Sequence, residues 1–254
     1  MKKIHLLTLS ITLTLLGCQG FAHKENPESI KTKSTATFDG HTAETSLDWD
    51  GTYKGLLPCA SCPGILTTVK LNADKTFVKS DFYLESKEGY LNDKGVFSFS
   101  EDGGKVILKS NKGTTIYAVG ENKLILLDKD GKAATSTLAE MYKLTKLDDQ
   151  DIEFTNKPIK GLLTFGHEVS VFEPLNSAKT YWINDFKDAR LTKLYHNTTG
   201  NQSAPYTPVV AELVLKDNNN LKQGFAEQYD GVVDVINIKS VERITPTNYN
   251  YRSE

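Results

Sequence analysis

Between residues 48 and 147 apolar and polar residues alternate in short runs: Gly51–Leu57, Ile65–Leu71, Thr76–Tyr83, Gly95–Phe99, Lys105–Lys109, Thr114–Val119, Lys123–Leu127 and Glu140–Leu144. A period of two marks strands with one buried face. The intervening Asn72–Asp74, Glu101–Gly104, Asn111–Gly113, Gly120–Asn122 and Asp128–Gly131 are rich in residues that accept tight or left-handed turns. No segment in this region keeps a helical period. About eight short strands of this kind close most cheaply as an up-and-down barrel, because closure removes the exposed edges.

The charged stretch Asp148–Ile152 interrupts this pattern and Lys157–Pro158 restarts it, so residues 148–158 read as a linker. Beyond it, runs at Lys160–Phe165, His167–Phe172, Thr180–Ile183, Val209–Leu215 and Gly231–Ile244 predict five strands. Phe186, Ala189, Leu191 and Leu194 predict a helix over Asp185–Tyr195. Five strands and one helix in about a hundred residues suit a small Greek-key barrel of OB type. The chain is thus expected to be all-β, a first barrel over 47–147 and an OB-like barrel over 159–254. Trp49-Asp-Gly51-Thr-Tyr53 resembles the opening of lipocalins, and it reads equally as an aromatic plug for the base of the first barrel.

The N-terminus has a different character. Lys2-Lys3 precede an apolar stretch, Ile4 to Leu16, that is shorter than the roughly 20 residues needed to cross a bilayer core. A charged start, a short apolar run and a small residue at its end read as a secretory signal. Leu15-Leu16-Gly17-Cys18 resembles the lipobox of bacterial lipoproteins, which implies cleavage after residue 17 and acylation of Cys18. Gln19, where related systems use Asp for inner-membrane retention, implies the outer membrane. Residues 18–46, polar and without periodicity, read as the lipidated cysteine and a flexible tether. Formal charge is −2 over 254 residues. Loss of Lys2 and Lys3 with the signal leaves 28 basic against 32 acidic residues, so no basic surface remains to hold nucleic acid or anionic lipid. Attachment then depends on the acyl chains.

Three cysteines are present. With Cys18 assigned to lipid, Cys59 and Cys62 remain, in Pro58-Cys59-Ala-Ser-Cys62-Pro63-Gly64 between the first two strands. In an oxidising compartment a disulfide is the default. Closing so short a loop removes little unfolded-state entropy, and the bond is accessible to exchange. A thioredoxin-like site requires a helix N-terminus at the thiolate, whereas strands frame this pair. Reduced thiolates suit Cu(I), although two are too few for zinc and no further Cys or His lies near in sequence. A staple shaping an exposed loop is the third reading.

Asp48 to Ile65, followed by Thr67-Thr-Val-Lys-Leu71, resembles the N-terminal domain of the NlpE copper-resistance lipoprotein family. Gly161–Val169, Tyr181–Asp185, Pro205–Leu213 and Gly224–Val233 are similar to that family's C-terminal OB domain. The resemblance implies an outer-membrane lipoprotein, facing the periplasm and handled by the lipoprotein-sorting machinery. It further implies a role in reporting surface contact, copper or faulty lipoprotein delivery to an inner-membrane sensor kinase of the Cpx type. Better-known members carry a second cysteine pair in the C-terminal domain; this chain has no cysteine after Cys62, so thiol chemistry falls to Cys59 and Cys62.

No nucleophile elbow, zinc-protease helix, phosphate loop or EF-hand spacing occurs. His23, His41, His167 and His196 are isolated, and Trp182, Tyr206, Phe225 and Tyr229 read as core and rim residues of the second barrel rather than as a nucleic-acid platform. The expectation is a non-enzymatic protein that requires no cofactor, with copper at Cys59 and Cys62 as an option. A small apolar ligand inside the first barrel is the alternative.

Overall fold

The computed structural model describes residues 42–201 and 203–249, without the side chains of 136–138. Cys18 and the expected signal lie outside those residues, as do His23, His41 and the tether up to residue 41. Helix α1 (Ala43–Ser46) leads into β1 (Gly51–Leu57), β2 (Ile65–Leu71), β3 (Thr76–Tyr83), β4 (Tyr90–Phe99), β5 (Lys105–Ser110), β6 (Gly113–Gly120), β7 (Lys123–Leu126) and β8 (Lys143–Lys146). Each strand pairs antiparallel with the next, and β8 returns to β1 through Tyr53↔Lys146 and Lys54↔Thr145, closing the expected barrel.

Alternate residues fill its interior: Tyr53, Val69, Leu71, Phe77, Phe97, Val106, Leu108, Tyr117, Leu124 and Leu144 are all 4% exposed or less. Trp49 plugs the base, edge-on to Phe97 at 5.6 Å and to Phe99 at 5.5 Å. Lys75 Nζ stands 4.2 Å from the Trp49 ring centre and 4.4 Å from that of Phe99, a cation–π clamp. Tyr53 Oη donates to the Trp49 carbonyl at 2.7 Å.

Two strands of this barrel start well away from the sequence expectation. The predicted strand Glu140–Leu144 begins in fact at Lys143, because Ser136–Tyr142 forms a 3₁₀ helix and only Lys143–Lys146 reaches β7 and β1. Strand β4 starts at Tyr90, five residues before the predicted Gly95; its first half, Tyr90–Lys94, is mostly exposed on both faces, so no burial alternation announces it.

The second barrel comprises β9 (Pro158–Gly166), β10 (Val169–Pro174), β11 (Tyr181–Asn184), β12 (Val209–Asp217) and β13 (Gly231–Arg243). They close in the order β9-β10-β11-β13-β12, with β11 parallel to β13, the arrangement of an OB barrel. The thirteen-residue β13 serves two neighbours, and shifts in its register with β12 at Glu212/Leu213 and Val214/Leu215 let it curve between them.

Helix α2 (Arg190–Thr199) covers this barrel through Leu191, Tyr195 and Thr199, four residues apart on one stripe. It starts five residues later than predicted. Ala189 precedes it in the left-handed region at φ 53° and offers no side-chain cap. Asp185 caps the helix from outside: its carboxylate accepts from the amides of Phe186 (2.6 Å), Leu191 (3.0 Å) and Thr192 (2.8 Å), and from the Thr192 hydroxyl (2.7 Å). Burial works against its ionisation, but these bonds outweigh it and hold the carboxyl below the usual range.

Candidate functional site

Strand β1 ends where Pro58 withdraws a ladder donor, and Pro63 delays the start of β2. The seven residues between bend back on themselves, and Cys59 and Cys62 are joined in a disulfide with Cα atoms 5.3 Å apart. Both cysteines are half-buried, while Ala60, Ser61 and Pro63 are exposed. Cys62 Sγ lies 3.3 Å from the Gly64 carbonyl oxygen; a disulfide sulfur carries no proton, so this becomes a hydrogen bond only on reduction. The same carbonyl accepts from Leu84 N at 3.0 Å. Gly64 itself is pressed against Leu56, where an added Cβ would sit 2.8 Å from Leu56 Cδ1. The loop is therefore anchored at its C-terminal end by Leu56 and Leu84.

The oxidised pair offers no thiolate, and among the described residues no group of three or more His, Cys, Asp or Glu side chains is gathered as metal ligands. Cu(I) does not fit the loop in this state.

Below the loop the barrel interior turns polar, which the sequence reading did not foresee. Thr67, fully buried, donates to Asp81 at 2.8 Å, and Lys79 pairs with the same carboxylate. Both charges share the inward face with Phe77, so the signal was present as a Lys and an Asp on the apolar phase of β3. Tyr117 is fully buried beside them and its hydroxyl has no hydrogen-bond partner among the described residues. Burial, and then the charge of Asp81, push its pKa upward. Large aromatic side chains and an ion pair stand where a small apolar ligand would have to lie.

The other singled-out residues do not converge on this loop. His167 and Glu168 form the β9–β10 turn, and His196 is exposed on α2, edge-on to Tyr195 at 5.3 Å. Trp182 leans on Tyr229 at 5.6 Å, Phe225 is exposed, and the Tyr206 ring covers Gly166. These are rim positions of the second barrel.

What the loop does adjoin is a seam between the barrels. Leu56, Leu66, Phe82 and Leu84, on the outside of the first barrel, pack with Leu162, Ala204, Val210 and Ile244 of the second. Lys54 donates to Glu173 across it. The clue in the sequence was apolar residues on the outward phase of β1, β2 and β3.

Residues 53–137 match the family model described as NlpE N-terminal domain. The first barrel is an NlpE domain. Over 193 residues the chain is 23% identical to Lipoprotein NlpE of Escherichia coli, covering 76% of this chain and 75% of that protein. The 17 kDa lipoprotein of Treponema pallidum is 46% identical over 55 residues, 21% of this chain and 35% of that one. Among solved structures, a lipoprotein from Shewanella oneidensis is 44% identical over 41% of this chain and 94% of its own, with TM-score 0.38. The Cpx pathway activator NlpE from E. coli is 20% identical over 75% of this chain and 94% of its own, with TM-score 0.31. The disulfide loop of Cys59 and Cys62 lies within the matched residues.

Proposed function

We propose that this chain is a non-enzymatic outer-membrane lipoprotein, anchored through acylated Cys18 and facing the periplasm, that reports envelope stress to an inner-membrane sensor kinase of the Cpx type. The observation that carries this reading is the match of residues 53–137 to the NlpE N-terminal domain, with the proline-flanked Cys59–Cys62 loop inside it. The partner class comes from the E. coli protein of that name, which is described as a Cpx pathway activator. The domain plan is a signal over 1–17, a lipidated cysteine and tether over 18–46, the NlpE domain over 47–147, a linker over 148–158 and the OB-like domain over 159–254. The acylated N-terminus is the part the lipoprotein-sorting machinery handles. In this scheme Cys59 and Cys62 are a redox-responsive staple on the signalling barrel, and copper acts as a stress that changes their state rather than as a resident cofactor.

The test is overproduction of the full chain in a bacterium carrying a reporter of the envelope-stress response, beside a Cys18→Ala control. The expected result is induction by the lipidated chain. A flat reporter, under conditions where an established inducer raises it, overturns the reading.

A further inference from the structure

The outside of the NlpE domain carries an apolar row that a free barrel would expose to water. Leu56 is paired in register with Leu66, Leu66 with Phe82 and Phe82 with Tyr90, so the row crosses four adjacent strands on one face. Leu56, Leu66 and Phe82 are 9%, 3% and 1% exposed, and the Tyr90 ring leans on Phe82 at 4.8 Å. An exterior barrel face facing solvent is expected to be polar, and a contiguous apolar patch marks an interface. Here the cover is the second barrel, through Leu162 and Val210 on its own outward phase. Lys54, on the same outward face of β1 as Leu56, meets Glu173 of β10, with side-chain exposures of 11% and 23%.

The barrels are two separately closed sheets, so parting them breaks no strand pairing. Each retains its own core, Phe77 and Tyr117 in one, Phe172 and Leu191 in the other. Two members of the row flank the disulfide loop, since Leu56 precedes it, Leu66 follows it and Gly64 rests on Leu56. The loop that carries Cys59 and Cys62 is thus in direct contact with the seam.

We propose that the Leu56–Leu66–Phe82 row is the surface by which this chain engages its protein partner, and that the second barrel keeps it covered until the two barrels separate. The second barrel is the template for the partner's chemistry: an apolar face carrying one carboxylate that takes the place of Glu173 opposite Lys54. This rests on the signalling role proposed above and adds to it the contact face and its control.

The structure supplies a lock. A Cβ at Gly89 of the first barrel would lie 3.9 Å from Ala204 Cβ of the second, which is the Cβ separation of disulfide-linked residues. Gly89→Cys with Ala204→Cys, allowed to oxidise in the periplasm, fastens the seam. Each single variant controls for strain at Gly89, whose φ is +70°. Leu162→Asp opens the seam by burying a carboxylate there, with Val210→Asp as the second opening variant should the first fold poorly. Two readouts are taken on the full chain: binding of a fluorescent apolar-surface dye by the purified protein, and the envelope-stress reporter in cells. The expected outcome is a several-fold rise in dye binding and a raised reporter at native expression for the open variants, with both lowered by the lock. Lys54→Glu in the open background should return the reporter to the level of Cys18→Ala. If locked and unlocked chains drive the reporter equally, the covered-face proposal falls and the signalling role stands. If dye binding follows lock and opening while no form of the chain moves the reporter, the cover is upheld and the signalling role falls. Dye binding indifferent to lock and opening overturns the proposal outright.

Discussion

The two barrels are tubes of similar length of chain that close in different ways. In the first, every strand lies beside its sequence neighbour, and one long-range seam between β1 and β8 shuts it. In the second, β12 reaches back to β9, and β13 runs parallel to β11, so the tube cannot form until distant segments meet. Each interior buries four aromatic side chains among aliphatic ones, but the first is closed by the Trp49 plug and the second is shielded by α2. Local pairing makes a barrel readable strand by strand and gives it short loops on which to display a motif. Non-local pairing is slower to assemble, and it leaves the outer surface shaped by helix and bulges. The chain divides its tasks accordingly, with the distinctive loop on the first barrel and a cover supplied by the second.

Each barrel holds one of the chain's two tryptophans, Trp49 at the base of the first and Trp182 on β11 of the second. Single-tryptophan variants, Trp182→Phe and Trp49→Phe, therefore read the two unfolding transitions separately. The largest effect is expected for Phe77→Ala, which empties the first interior at a site 2% exposed. It should cost about 4 kcal/mol in the transition followed by Trp49, leaving that of Trp182 in place. Equal loss at both probes would show the barrels to be one cooperative unit.

Next is the staple. Cys59→Ser with Cys62→Ser should lower the Trp49 transition by about 2 kcal/mol in denaturant titrations, again without moving the second barrel. The same double variant and the reduced wild type, titrated with Cu(I), should differ in metal uptake if the free thiols bind it.

Asp185 tests the other side. Asp185→Ala removes the outside cap of α2 and should cost roughly 1–2 kcal/mol, seen by Trp182. Its carboxyl pKa is lower folded than unfolded, so its contribution is present above the ordinary carboxylate value of about 4 and drains away as pH falls through the folded value. Stability curves of wild type and Asp185→Ala should therefore converge in acid. The smallest effect runs the opposite way. Tyr117→Phe deletes a buried hydroxyl that has no partner among the described residues, and should stabilise the first barrel by up to about 1 kcal/mol. A loss there instead would reveal a bond through that hydroxyl.

Legibility in the sequence followed the same divide. Strands β1, β2 and β3 coincide with their predicted runs, because Pro58, Pro63 and the Asn72–Asp74 turn mark where they stop and start. The start of β8 escaped, since barrel closure rather than local pattern sets where Lys143 joins β7 and β1. Helix α2 was displaced because Asp185 reads as a helix opener, although it holds the helix from five residues upstream. The Cys59–Cys62 motif was plain from spacing. Its position against Leu56 and Leu84 was not, because an outward apolar residue shows that something covers it without saying what.

One junction bears on how a pull would travel through the molecule. Leu147 N donates to Thr52 O in the first barrel, and the very next residue is tied to the second, Asp148 N to Asn176 O and Ala178 N to Asp148 O. Tension along the chain thus passes from one tube to the other across a single peptide link, and the three backbone hydrogen bonds on these two adjacent residues share the load.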